Sequence, residues 1–216
     1  MNLDKIKIVN NFIDEIDSKY FIDYIDKNFK DESRFRHRVG VAYNKGLAVR
    51  AVFPDEKPAS LYKDLEQVVN KYSKKFIEYV KENYSDENLY FYGISITKLS
   101  KDIQLRIHQD IHNDFSSLSY SCVIYLNEDY SGGEVIFLEE FIPSSPFPLY
   151  NDSMGGLVLK PKSGQAFIFP STQWHGGKRI LEGDKYAIIL WLTPDKEYEF
   201  EGFDSDRVLN LINYKK

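Results

Sequence analysis

Two segments of this chain are apolar on both faces of an extended strand, and they constrain the fold more than anything else in the sequence. In Tyr120–Asn127, the side chains of Tyr120, Cys122, Ile124 and Leu126 point one way and those of Val123 and Tyr125 the other. In Lys185–Leu192, Tyr186, Ile188, Leu190 and Leu192 oppose Ala187, Ile189 and Trp191. Successive strand residues alternate between faces, so a strand apolar on both must be covered twice. The chain supplies two covers. Short runs bounded by turn residues, Gly93–Lys98, Ile103–Asp110, Gly133–Leu138, Leu157–Lys160 and Gln165–Phe169, provide a second sheet. Upstream, Phe12 to Phe29 and Leu61 to Tyr84 carry apolar residues at helical spacing, and Ile6–Val9 reads as a short strand. Between the helices a hairpin is expected around Asn44-Lys45-Gly46. The predicted fold is mainly β with α (α+β): a β-sandwich or jelly roll backed by N-terminal helices.

A chain of 216 residues can bury one substantial core. A single domain is expected, with residues 1–90 as helical support, 91–194 as the β core and 195–216 as a C-terminal tail or helix. The formal net charge of -5 gives no general attraction for phosphates, which argues against a nucleic-acid partner. Cys122 is the single cysteine, so no intramolecular disulfide forms, and its apolar run makes it a buried, inert thiol. Charges interrupt the N-terminal segment every few residues, and no stretch approaches the ~20 apolar residues of a membrane span. A cytoplasmic protein with no membrane partner is expected.

The phrase Leu105-Arg-Ile-His-Gln-Asp110 carries the chemistry. On a strand, residues two apart share a face, so His108 and Asp110 can reach one metal ion. His175, in Gln173-Trp-His-Gly-Gly177, is a third donor between two strand patterns. Two imidazoles and a carboxylate on one side of a metal are the ligand set of non-haem Fe(II) oxygenases. His112 and Asp114 form a rival pair, either as a second site or in place of the first. Lys185 begins the next strand; on an inward face it needs an anion, and a dicarboxylate chelating the metal through its 2-oxo acid end would bring one. Tyr125 could then add a hydrogen bond.

In order and spacing, the segment from Ile94 to Trp191 resembles the catalytic core of prolyl 4-hydroxylase-type Fe(II)/2-oxoglutarate dioxygenases. The resemblance rests on Ile94 running without a gap into His108-Gln-Asp110. It continues through Tyr125-Leu-Asn127, Gly132-Gly-Glu134, Lys160-Pro-Lys-Ser-Gly164 and Phe167-Ile-Phe169, and ends on His175 with Gly183-Asp-Lys-Tyr-Ala187. It implies a double-stranded β-helix core, with iron on His108, Asp110 and His175. It also implies a 2-oxoglutarate far-carboxylate contact at Lys185, assisted by Tyr125, with Ser121 where the family often has a small hydroxyl residue. Trp191 shares the face of Lys185, with core packing its expected role. The implied cofactors are Fe(II), 2-oxoglutarate as cosubstrate and O2, with ascorbate as an accessory reductant. The implied reaction is hydroxylation with release of succinate and CO2.

There are departures. Leu99 and Leu105 stand where many members carry tyrosines, and Asp102 where many carry glycine; this puts peptidyl proline in doubt as the substrate. The expected substrate is an amino acid, peptide side chain or related small molecule, with peptidyl prolyl 4-hydroxylation as the alternative. A non-catalytic jelly-roll module and a zinc or nickel cupin-type enzyme remain as further readings. The stretch Glu139 to Gly156 is an insertion expected to border the substrate entrance, together with Arg34 to Phe53.

Overall fold

The computed structural model describes residues 3–28, 40–42, 48–53, 63–85, 87–111, 118–143 and 148–199. The rival pair His112 and Asp114, the turn at 44–46 and residues 200–216 lie outside them. The strands are β1 (Lys7–Val9), β2 (Gly40–Ala42), β3 (Ala48–Phe53), β4 (Tyr90–Leu99), β5 (Ile103–Leu105), β6 (Tyr120–Tyr125) and β7 (Ser131–Gly132). They continue with β8 (Val135–Leu138), β9 (Leu157–Leu159), β10 (Ala166–Pro170), β11 (Trp174–Gly177), β12 (Ile180–Glu182) and β13 (Lys185–Thr193). The helices are α1 (Glu15–Asn28) and α2 (Glu66–Asn83).

The large sheet runs β1-β10-β6-β13-β4-β3, and a smaller one runs β11-β8-β9, with β12-β7 and β2-β5 as short pairs. All pairings are antiparallel. The two doubly apolar strands, β6 and β13, are neighbours at the middle of the large sheet, in the register Ala187 to Tyr125 and Trp191 to Ser121. On one face, Cys122, Ile124, Ile188, Leu190 and Leu192 pack with Phe21, Ile25, Val69, Phe76 and Val80 of the helices. On the other, Tyr125, Phe167, Phe169 and Ala187 meet Val135 and Phe137 of the smaller sheet. Each apolar face of these strands therefore has its own cover, as the alternation requires.

Helix α1 starts later than the spacing predicts. Asp14 caps it by accepting from the Asp17 backbone N–H at 2.8 Å. Phe12 and Ile13 precede the cap and donate instead to the Gly164 carbonyl, at 2.8 and 3.3 Å, yet both are buried. Lys71 of α2 pairs with Asp14 and Asp17 at 2.9 and 2.7 Å and ties the helices together. The expected hairpin is corrected: β2 pairs with β5 and β3 with β4, so the strands flanking residues 43–47 belong to different sheets. Among the described residues, no helix is long and apolar enough to cross a membrane.

Candidate metal centre and anion pocket

The strand that was to carry both His108 and Asp110 stops at Leu105. Beyond it the backbone bonds go to three other segments. Ile107 N–H donates to the Pro148 carbonyl at 2.8 Å, and Asp110 N–H donates to that of Ser171 at 3.0 Å. His108 and His175 exchange N–H to carbonyl bonds at 2.8 and 2.9 Å, an isolated antiparallel bridge. This corrects the shared-strand expectation, but the two side chains still converge. Gly176 makes the bridge sterically possible: a Cβ there would lie 2.7 Å from Ile107 Cδ1 and 2.9 Å from the Arg106 carbonyl oxygen.

His108, Asp110 and His175 each bring a metal-ligating atom to within 4.8 Å of the others. His108 Nε2 lies 3.6 Å from Asp110 Oδ1, and His175 Nε2 3.9 Å from Oδ2. Each ring uses its other nitrogen on a backbone carbonyl: His108 Nδ1 on Arg106 and His175 Nδ1 on Gln173, both at 2.9 Å. A carbonyl only accepts, so both Nδ1 atoms carry hydrogen, and both Nε2 atoms are turned to the carboxylate. The rings lie 4.3 Å apart, and Phe169 packs against His175 at 4.8 Å.

Asp110 is oriented by Ser121, whose Oγ donates to Oδ2 at 2.6 Å. Ser121 Oγ also lies 2.8 Å from Ser171 Oγ. Its single proton goes to the carboxylate, so Ser171 is the donor to Ser121. The structure thus brings Ser121 to Asp110 rather than to Lys185. Burial raises the Asp110 pKa, but His175, His108 and the Ser121 hydroxyl outweigh it and hold the carboxyl well below the usual range. His175 is pushed down to about 4, first by burial and then by His108, against Asp110 and the Gln173 carbonyl. A neutral imidazole beside an ionised carboxylate is the state in which such groups take a metal.

Lys185 is only 4% exposed. Its ammonium donates to the Gly133 carbonyl at 2.6 Å and stands 4.9 Å from the Tyr125 ring centroid and 5.6 Å from that of Tyr130. Gly133 adopts φ +65°, the left-handed region that favours glycine. Burial first, then the like charge of Lys160, push Lys185 down to about 7, against the pull of Glu134. Burial also drives the Tyr125 hydroxyl far up.

One pocket joins these groups, with about 650 Å³ of empty space counted out to its open mouth. Alternate residues of β13, Lys185, Ala187, Ile189 and Trp191, line it together with Tyr125 and the three candidate ligands. Leu99 and Leu105, the tyrosine departures, line it as well. Asp102 holds φ +70°, which accounts for glycine as the alternative there. Trp191 is also a pocket wall, and its indole N–H is buried without a hydrogen-bond partner among the described residues. Of the 139–156 insertion, residues 139–143 and 148–156 are described. Its described residues pack behind the His108 segment, with Phe141 against Trp174 at 5.3 Å and Tyr150 and Met154 beside Ile107, and none of them lines the pocket. The sequence reading missed Ser171 and the carbonyls of Arg106 and Gln173. Carbonyls leave no residue signature, and a serine after Pro170 reads as a turn.

Residues 94–193 match a family model described as the 2OG-Fe(II) oxygenase superfamily. Over that segment the chain is similar to 2OG-Fe(II) oxygenases. That family's members take Fe(II) and 2-oxoglutarate, which the likeness implies here. The chain is 31% identical over 100 residues to human prolyl 3-hydroxylase 2, covering 45% of the chain but 13% of that relative. It is 31% identical over 121 residues to a PKHD-type hydroxylase of Prochlorococcus marinus, covering 51% of the chain and 48% of the relative. The chain therefore spans less than half the length of either. In fold it resembles a prolyl hydroxylase from Trichoplax adhaerens, solved in complex with a hypoxia-inducible-factor oxygen-degradation-domain peptide fragment. The TM-score is 0.64 at 15% identity, over 91% of this chain and 87% of that one. That neighbour implies a jelly-roll fold for the two sheets.

Proposed function

We propose that this chain is an Fe(II)- and 2-oxoglutarate-dependent dioxygenase that hydroxylates a peptide side chain, an amino acid or a related small molecule. The observation that carries the reading is the pairing, in one pocket, of a two-histidine, one-carboxylate donor set with a buried lysine that, among the described residues, forms no ion pair and bonds to the Gly133 carbonyl. His108, Asp110 and His175 fit a ferrous ion because both Nε2 lone pairs and an ionised carboxylate converge within 4.8 Å. Bound there with 2-oxoglutarate and O2, the iron would supply the oxidising power for C–H hydroxylation as the cosubstrate is converted to succinate and CO2.

The remaining work falls to the chain's own side chains. Arg106 and Gln173 carbonyls hold the imidazoles in the ligating tautomer, and the Ser171–Ser121 pair holds the carboxylate. Lys185 uses one of its three N–H groups on Gly133 and keeps the others for the far carboxylate of the cosubstrate, with Tyr125 beside it. Phe169, Val123, Ala187 and Ile189 keep the space between the two ends apolar, which strengthens charge recognition at each. A zinc or nickel enzyme without a dicarboxylate would leave Lys185 buried against a single carbonyl. Prolyl hydroxylation of a peptide is the reading nearest to the named relatives.

The test is succinate release from 2-oxoglutarate under iron. His108→Ala, Asp110→Ala and His175→Ala should each abolish it. Full turnover in His108→Ala together with loss in His112→Ala would move the metal to the rival pair and sink the assignment.

A further inference from the structure

On the reading of this site as a 2-oxoglutarate oxygenase, we propose that Asn127 is a positioning residue for the cosubstrate. Its side-chain amide clasps the backbone on both sides of Lys185 and so holds the ammonium at one distance from the metal ligands, although Asn127 itself lies outside the pocket.

Three observations carry this. First, a side chain completes what the sheet leaves open. Strand β6 ends at Tyr125, opposite Ala187. One rung further, Leu126 N–H donates to the Tyr186 carbonyl at 3.1 Å, while the Leu126 carbonyl accepts from Ser163 Oγ at 3.0 Å instead of returning the bond. Asn127 supplies the missing acceptor: Tyr186 N–H donates to its Oδ1 at 2.9 Å. Its Nδ2 donates to the Asp184 carbonyl at 2.7 Å and to Asp129 Oδ1 at 2.6 Å, and two acceptors on that nitrogen leave the amide one orientation. The residues before and after Lys185 are thus tied to one planar group. Second, both of those residues are fixed again on the helix face. Lys98 pairs with the Asp184 carboxylate at 3.2 Å and with Asp26 of α1 at 2.8 Å, and the Tyr186 hydroxyl donates to Asp26 at 2.9 Å. Strand alternation turns Lys185 to the opposite face, toward the pocket. Third, the ammonium has little restraint of its own: a flexible four-carbon stem and one hydrogen bond, to the Gly133 carbonyl at 2.6 Å. Where it stands therefore depends on where its Cα stands. A cosubstrate held by the metal ligands at one end and by Lys185 at the other reads the span between them, and a strand end free to fray would not keep that span.

The test is a double-mutant cycle on the Co2+-loaded protein, titrated with 2-oxoglutarate and followed by the cobalt absorption band. Asn127→Ala should weaken 2-oxoglutarate about fivefold, the equivalent of one net hydrogen bond, and leave the Co2+ Kd unchanged. In a Lys185→Ala background the same substitution should cost the cosubstrate nothing further, because the group it positions is gone. Asn127→Ser, whose hydroxyl cannot reach both neighbours of Lys185, should behave alike, and it serves if the alanine protein does not fold. A merely structural role predicts equal losses in the two backgrounds, or a Co2+ affinity that falls in step with that for 2-oxoglutarate. Either result, or an unchanged 2-oxoglutarate Kd, would overturn the proposal. The underlying reading fails separately, if wild-type and Lys185→Ala proteins bind 2-oxoglutarate alike.

Discussion

Ser121→Ala should lower metal affinity without dismantling the fold. The Ser121 hydroxyl gives its proton to Asp110 Oδ2 at 2.6 Å, within the range of an O–H bond to an ionised oxygen. A hydrogen bond to a charged group contributes about 1.5–3 kcal/mol. Losing an outer partner of a ligating group typically costs about 10–100-fold in metal affinity, on the order of 1.4–2.8 kcal/mol, which agrees with that figure. Alanine also strands the buried Ser171 hydroxyl, so some loss of stability accompanies the effect. Ser171→Ala separates the two terms, because it leaves the Ser121 proton on Asp110 and should cost the metal less. The assay is Fe(II) or Co(II) titration against a competing chelator, with thermal melts of the metal-free proteins alongside. A Ser121→Ala protein that melts lower yet binds metal within twofold of wild type would refute the orienting role.

Three further outcomes follow from the same geometry. Lys185→Ala should raise the 2-oxoglutarate KM by an amount equivalent to on the order of 3–5 kcal/mol, because it strands a buried carboxylate, whereas Tyr125→Phe should cost on the order of 1–2 kcal/mol; steady-state succinate release measures both, and an unchanged KM in Lys185→Ala would remove Lys185 from the site. Lys185 in the free pocket is held near 7, below an ordinary lysine, and a bound carboxylate must raise it. Binding therefore takes up a proton, and affinity should fall about tenfold per pH unit above 7 until the liganded pKa is reached. Calorimetry in two buffers of different ionisation enthalpy tests this, and buffer-independent heats at pH 8 would contradict it. Gly176→Ala drives a Cβ to within 2.9 Å of the Arg106 carbonyl oxygen, so it should push the His108 segment off β11 and lose metal binding and thermal stability together. Wild-type metal affinity in that variant would mean the bridge is dispensable.

The large sheet was legible because its central strands repeat one rule over six to nine residues. Alternation in β6 and β13 assigned Ile124 and Ile188 to one face and Tyr125 and Ala187 to the other, and the two core clusters follow that division. Strands β7, β11 and β12 were not legible. They are two to four residues long, too short for a period-two pattern, and β11 contains Gly176 and Gly177, which read as turn. The β2–β3 pairing failed for a different reason: a turn-like Asn-Lys-Gly cannot reveal that its flanks pair with β5 and β4, since long-range partners leave no local trace.

The candidate ligands were found by residue type and order, although the reason given for their convergence was incorrect. His108 and Asp110 do not share a strand; their segment is held by the carbonyls of Pro148 and Ser171, from two separate connections, and of His175, in β11. This arrangement has a physical logic. A ladder strand commits every other N–H and carbonyl to its neighbours at fixed spacing, which would tie the spacing of the ligands to the pleat. Released from the ladder after Leu105, the segment takes its bonds from two loops and from β11, which together set the approach of His108 to His175. Gly176 allows the contact, the insertion secures it through Pro148, and Ser171 serves both backbone and side chain of the Asp110 region. The regular sheet beneath contributes what loops cannot: Ser121, Tyr125 and Lys185 at fixed register on two adjacent strands. The anion end should therefore tolerate loop changes that the metal end does not. Shortening the 139–156 insertion should weaken Fe(II) binding while 2-oxoglutarate still protects Lys185 from amine-directed labelling. Equal loss at both ends would show that the two share one support.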